Sequence, residues 1–210
     1  MQIYPTKYFI IAGFFGAFFL SVAELLFHFV PLNIAQENLV HQGFITLVSS
    51  QRIGFGYLLI LLFSPLYFLG YYGVFRWLQE RTGKNAHLFI YTAYWMLILG
   101  VIWLGARPLW QAVLLSGGDH VQILGWYEGT LTMMRGLLFV SSFIFVWQLR
   151  KTSYFREFFF WNPFVLWALI FVGFFLASNL FWPLLVIAFN ASHVIFFAYF
   201  LINRNKLCLA

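Results

Sequence analysis

The sequence predicts an all-α, polytopic membrane bundle of six transmembrane helices with both termini in the cytoplasm. Three observations carry this. Hydrophobic residues make up 63% of the 210 positions and charged residues only 9%, against about 25% charged in soluble domains. So little charge cannot cover a water-facing surface. Six stretches approach the roughly 20 apolar residues that a spanning helix requires. Basic residues also segregate to one side of the resulting topology, as the positive-inside rule expects.

The first predicted helix covers 8–30 and contains A-E-L-L-F-H-F at 23–29. Its Ala12, Gly13, Gly16 and Ala17 form two overlapping small-xxx-small pairs, which let a second helix approach closely. S-V-A at 21–23 resembles a signal-peptidase site, and cleavage there would leave five helices. The apolar run continues through Val30, so the segment is read as a retained span. The second helix, 53–75, contains Pro65, which is expected to kink it, with neighbouring helices satisfying the freed carbonyl. Helices at 88–106, 128–148, 158–180 and 183–203 follow. The last two are joined by a tight hairpin from Asn179 to Pro183, which places Pro183 in a first turn, where proline is favoured.

Two outer connections are long. Residues 31–51 contain Glu37 and His41 one turn apart, and 107–127 contain a short apolar helix, Leu109 to Leu115, before S-G-G-D-H. Both have the composition of interfacial helices or lids. No repeat or low-complexity linker interrupts the chain, so a single domain is expected over 1–210.

Lys7, Arg76, Arg81, Lys84, Arg150, Lys151, Arg156, Arg204 and Lys206, nine of the 12 basic residues, fall on the inner side. Arg52, Arg107 and Arg135 fall at or in the outer half. The net charge of +6 is therefore a topology signal in the cell membrane, and no nucleic-acid partner is expected. Trp77, Trp147 and Trp161 are expected at the inner boundary, and Trp103, Trp110, Trp126 and Trp182 at the outer one. The single cysteine, Cys208, excludes an internal disulfide. It reads as an inert tail thiol rather than a palmitoylation site.

Ionisable groups inside a membrane are costly and face the bundle interior or a water-filled cavity. A rise of about 1.5 Å per residue places Glu24 about 9 Å, Asn190 about 10 Å, Arg135 about 12 Å and His193 about 15 Å below the outer boundary. Glu24 and His28 share a helix face. Arg52, Arg107, Glu128 and Asn179 lie near the outer rim. The expected polar cluster is thus Glu24, His28, Arg52, Arg107, Glu128, Arg135, Asn190 and His193, with Glu24–Arg135 as its ion pair. The inner half is nearly featureless, with Ser64, Tyr67, Thr92, Ser141, Ser142 and Tyr199 as mild exceptions. That asymmetry favours an outward-facing pocket over a channel. The histidines and carboxylates lack HxxxH, HExxH or CxxC spacing, so no metal or other cofactor is expected.

Ala23-Glu24-Leu25-Leu26, the Ser49, Arg52, Gly54 entry to the second helix and Pro-Leu-Tyr-x2-Gly at 65–70 resemble a family of small bacterial six-helix membrane proteins without assigned chemistry. The likeness covers mainly residues 1–75 and implies a fold but no function. Arg107-Pro108 followed by S-G-G-D-H is similar to part of the lipid-phosphatase signature. Gly100 stands where that family has its phosphate-clamping lysine, the Ser-Gly-His triplet is interrupted and the third motif is absent. The architecture also resembles the six-helix substrate-capture subunits of vitamin transporters, an analogy of fold alone.

Three arginines against two carboxylates make the outer mouth cationic, and guanidinium binds carboxylate and phosphate through a planar fork. The leading expectation is binding or transport of a small anionic or amphiphilic ligand. The alternatives are an intramembrane enzyme acting on lipid head groups, with Glu24 or His28 as general base, and a structural or assembly subunit.

Overall fold

The structure, a computed structural model, describes residues 6–29, 48–83, 86–117, 119–203 and 205–207. Glu37, His41, Lys84, Arg204 and Cys208 lie outside these residues, and the side chains of Asn179 and Trp182 lie outside the described side chains. Every element among the described residues is a helix: α1 Thr6–His28, α2 Ser50–Thr82, α3 His87–Gly105, α4 Arg107–Leu115, α5 His120–Leu149, α6 Phe155–Phe160, α7 Pro163–Leu176, α8 Ser178–Val186 and α9 Ala188–Ile202. Four segments are each long and apolar enough to cross a membrane: Thr6–His28, Ser50–Thr82, His87–Val113 and Val121–Leu149. Pro163–Leu176 and Ala188–Ile202 are shorter apolar helices.

Local chemistry sets the ends. Ser49 Oγ accepts from Arg52 N at 3.4 Å, and the Asp119 carboxylate accepts from Val121 N at 2.9 Å. Both satisfy amides that a first turn leaves without helical partners. Gly83 closes α2 in the left-handed conformation, φ 59°, where a Cβ would be strained. The break at S-G-G-D-H is therefore real, with Gly117 at φ 82° and Asp119 as the cap of α5.

Several expectations change. α2 is longer than 53–75, with Pro65 inside it. The segment 158–180 spans parts of three helices, α6, α7 and α8; the first break comes where Asn162 caps α7 through Val165 N at 3.1 Å and Pro163 starts it. The hairpin expected at Asn179–Pro183 is helical. The chain leaves helical geometry instead at Ala177 and again at Ile187, and Pro183 lies inside α8. α7 and α9 run antiparallel, since Ile170 clusters with Ala188 and Ala191 and Trp161 stacks on Tyr199 at 5.1 Å.

α1 packs most extensively on α2 and next on α9, while α3 packs on α5. The α1–α2 contact is made backbone to backbone. A Cβ added to Gly13 would lie 2.5 Å from Gly70 Cα, and one added to Gly16 would lie 2.5 Å from Tyr67 N. The small-residue stripe of α1 is thus met by a second on α2, Gly73 and the Gly70 of Pro-Leu-Tyr-x2-Gly, which gives that glycine a packing role. In lipid there is little hydrophobic drive between helices, so this close fit supplies the dispersion contact that holds them.

The end of the bundle where α2 finishes is an aromatic cluster around Trp77, fully buried against Phe145, Phe158 and Phe200 with centroids 5.1–6.3 Å away. Trp77 is therefore a core residue rather than a boundary marker, as are Trp103 and Trp110, whereas Trp126, Trp147 and Trp161 are exposed. Trp77 Nε1 and Arg81 Nη2 both donate to the Leu207 carbonyl, at 3.1 and 3.0 Å, and the Leu207 side chain is fully buried. Lys206 pairs with Glu157, whose other oxygen accepts from the Tyr199 hydroxyl at 2.7 Å.

Replacing Gly13 or Gly16 by leucine should destabilise the bundle by about 1–3 kcal/mol or more. Gly54, where an added Cβ meets nothing within 4 Å, is the control, and melting in detergent is the measurement. A second prediction concerns acid. The hydrogen bond from Lys206, then that from Tyr199, hold the Glu157 carboxyl below its ordinary value of 4.5. A carboxyl held low in the fold contributes stability above the ordinary value and loses it as pH falls through the lowered one. Anchoring of residues 205–207 should therefore weaken below pH 4.5, and Glu157→Gln should remove that acid dependence; limited proteolysis at the C-terminal segment across pH reads it.

Candidate functional site

The site is built around the last turns of α1. Its buried stripe, Ile10, Gly13, Ala17, Leu20, Glu24, Phe27 and His28, recurs at helical spacing. The same periodicity that packs the helix therefore turns Glu24 and His28 inward. α1 ends with carbonyls that have no partner within the helix, and in a membrane such groups need partners from the protein. Two arginines provide them. Arg52 Nη2, at the start of α2, donates to Leu25 O at 3.1 Å and Phe29 O at 2.9 Å. Arg107 Nη2, the first residue of α4, donates to Phe27 O at 3.0 Å from a fully buried position. Cations at a helix C-terminus also meet the negative end of its dipole.

This corrects the cationic mouth. Arg52 and Arg107 are committed to backbone carbonyls of α1. Arg135 is not the partner of Glu24 either: no ion pair joins them, and the Arg135 guanidinium lies over the Trp167 ring, 5.8 Å from its centroid. Glu24 is met instead by a neutral group, Asn190 Nδ2, which donates to Oε2 at 3.0 Å. Both residues are buried, at 4% and 2% exposure. Glu128 is exposed and does not join the cluster.

His28 is placed by two contacts. Its Nδ1 donates to the Glu24 carbonyl at 3.2 Å, and its ring stacks on Trp103 at 4.9 Å. Its Nε2 is buried without a hydrogen-bond partner in the protein. His193 lies deeper, fully buried against Tyr67, Tyr71 and Phe189. The two histidines therefore occupy different levels. Among the described residues no group of three or more His, Cys, Asp or Glu could hold a metal ion.

A cavity adjoins Glu24. Its walls come from Leu20 and Glu24 of α1, Ser64, Tyr67 and Phe68 of α2, Leu97 to Leu104 of α3, Met134 of α5, and Phe189 and Asn190 of α9. The space open to a water centre is about 10 Å³, enough for about one water. Trp103, Tyr67 and Met134 line it without having been singled out as site residues. Depth along the helix identified Asn190, but depth carries no rotational position, and rotation is what brings Tyr67 and Trp103 beside Glu24.

Arg107→Leu should leave the Phe27 carbonyl buried and unsatisfied, a cost of about 1–3 kcal/mol. Arg107→Lys should recover only part of it, because a point charge on a flexible stem replaces a planar fork. Melting temperature in detergent distinguishes the three proteins, and equal values would contradict the capping role.

Residues 1–103 match the model of a family described as a family of unknown function, DUF6796. The match spans α1, α2 and most of α3, and so includes Glu24, His28, Arg52, Tyr67 and Trp103, but not Arg107, Asn190 or His193. No curated protein and no solved structure matches the chain.

Proposed function

We propose that the chain is a six-pass protein of the cell membrane, with both termini cytoplasmic, that binds or transports a small amphiphilic ligand at Glu24. Four long apolar segments support the membrane reading directly. For the last two crossings, α7 alone is about 21 Å long, short of the roughly 30 Å hydrocarbon core. Residues 158–160 of α6 precede it, with Arg156 and Glu157 left in the inner connection, and α8 and α9 together cover 178–202 apart from Ile187. Each run is thus one broken crossing. The basic residues of the inner connections supply the orientation.

The observation that carries the ligand reading is the buried Glu24 carboxyl, held by Asn190 and lining a cavity walled by five helices. Bundle cores place ligand sites between facing helices, with few polar groups among apolar walls. The committed arginines shift the favoured chemistry. The head group meets a carboxyl and an amide, so a cationic or neutral hydrogen-bonding head fits better than an anionic one. The cavity is small as it stands, and Met134, which faces Gly100 across it, is the deformable wall.

A thermal-shift panel of short-chain cationic, zwitterionic, neutral and anionic amphiphiles tests this. Cationic or neutral members should stabilise the native chain, and Glu24→Gln should abolish the shift. Stabilisation by anionic members alone, or a shift unchanged in Glu24→Gln, would sink the assignment.

A further inference from the structure

His193 stands between two cavities. On α9, Asn190 lines the Glu24 cavity, Phe196 lines a second cavity nearer the inner side, and His193 lies three residues from each. On α2, Tyr67 lines the first and Tyr71 the second. Ser141 and Ser142 of α5 wall the second, which again offers about 10 Å³ to a water centre, room for about one water.

The imidazole touches both tyrosine rings, with centroids 5.3 Å from Tyr67 and 5.7 Å from Tyr71. Its Nδ1 donates to the Phe189 carbonyl at 2.7 Å. A carbonyl only accepts, so the neutral ring carries its hydrogen on Nδ1 and a lone pair on Nε2. That Nε2 and the Tyr67 hydroxyl are both buried with no hydrogen-bond partner in the protein. Orphans of this kind are uncommon and mark ordered water or function, and ionisable residues within spans mark ion and proton paths.

We propose that His193 is the relay of a transmembrane proton path that joins the Glu24 cavity to the Ser141–Ser142 cavity through the hydroxyls of Tyr67 and Tyr71. In one passage, a hydronium proton in the outer cavity binds the Tyr67 oxygen as the Tyr67 hydroxyl proton passes through a bridging water to Nε2. Each O–H or N–H bond that forms is matched by one O–H bond that breaks on the donor. The imidazolium then gives its Nε2 proton through water to the Tyr71 oxygen, Tyr71 passes its own to water beside Ser141 and Ser142, and the neutral ring is restored. The net change is one proton moved inward. The Nδ1–H bond to Phe189 persists throughout and keeps the ring against the two tyrosine rings. The titratable groups facing the ring are Tyr67 and Tyr71 of α2. Phe189 and Ser192 flank it on α9, and Glu24 of α1 supplies the carboxyl at the outer end. On the inner side Ser142 accepts from Phe164 N at 3.3 Å, which ties the second cavity to the start of α7.

The path shares the Glu24 cavity with the ligand reading but needs no ligand, so its assay stands or falls separately from the amphiphile panel. The full chain is reconstituted in liposomes that contain a pH-sensitive dye, and a potassium gradient with valinomycin sets the interior negative. Acidification should exceed that of protein-free vesicles, fall to the protein-free rate in His193→Phe, and drop strongly in Tyr67→Phe, which removes only a hydroxyl. Ser21→Ala, which removes a hydroxyl bonded to the Ala17 carbonyl at 2.9 Å on α1, should retain the native rate. A native rate no higher than that of empty vesicles overturns the proposal. So does a native rate in both His193→Phe and Tyr67→Phe; the tyrosine variant keeps the test decisive if the histidine variant fails to fold.

Discussion

The end of the bundle that holds Glu24 depends on how the C-terminal end of α1 is satisfied. A helix that ends within a membrane presents carbonyls to a medium with no donors. Here the donors are Arg52 and Arg107, drawn from the first turns of α2 and α4. One requirement therefore fixes three helix ends relative to one another. It also explains how an arginine can be fully buried in so apolar a chain: its guanidinium meets the partial negative charge of a helix terminus. With α1 pinned above and locked to α2 below through Gly13 and Gly70, the rotation of α1 is set, and with it the direction of Glu24.

Asn190, rather than a cation, then completes the carboxyl. A neutral amide can satisfy one oxygen without bringing a second charge out of water, whose desolvation can exceed what the pairing returns. Arg135 finds a cheaper place over the face of Trp167, where a guanidinium can stack on the indole ring. The polar interior is consequently narrow: a carboxyl, an amide, two imidazoles and a few hydroxyls threaded between aromatic rings.

Much of this was legible in the sequence. Apolar length gave the long helices, Asp119 marked the start of α5, and the small residues of α1 announced a close contact. Depth along each helix brought Glu24 and Asn190 to one level. Depth carries no azimuth, however, so it could not say that Arg135 turns towards Trp167 while Asn190 turns towards Glu24. Charge complementarity favoured the wrong partner for the same reason. The capping by Arg52 and Arg107 was hidden because it links side chains to backbone carbonyls, which no residue pattern displays. The break at Asn162-Pro163 was visible in principle, since a cap residue followed by proline is a helix start. It was masked by the continuous hydropathy on either side. The inner half looked featureless because Tyr67, Tyr71 and Ser141 are individually mild, and only the fold gathers them around His193.

The docking of Leu207 has a bearing on how the molecule is assembled in time. Trp77 and Arg81 leave the ribosome more than a hundred residues before the carbonyl that both of them bond. α1 and α2 can close on each other as soon as both are made, but the Trp77 end of α2 stays open through the synthesis of α3 to α9. Its aromatic box is sealed only when the segment after α9 folds back beneath it. The bundle is therefore closed from its first pair outward and latched last, at the end opposite its polar site.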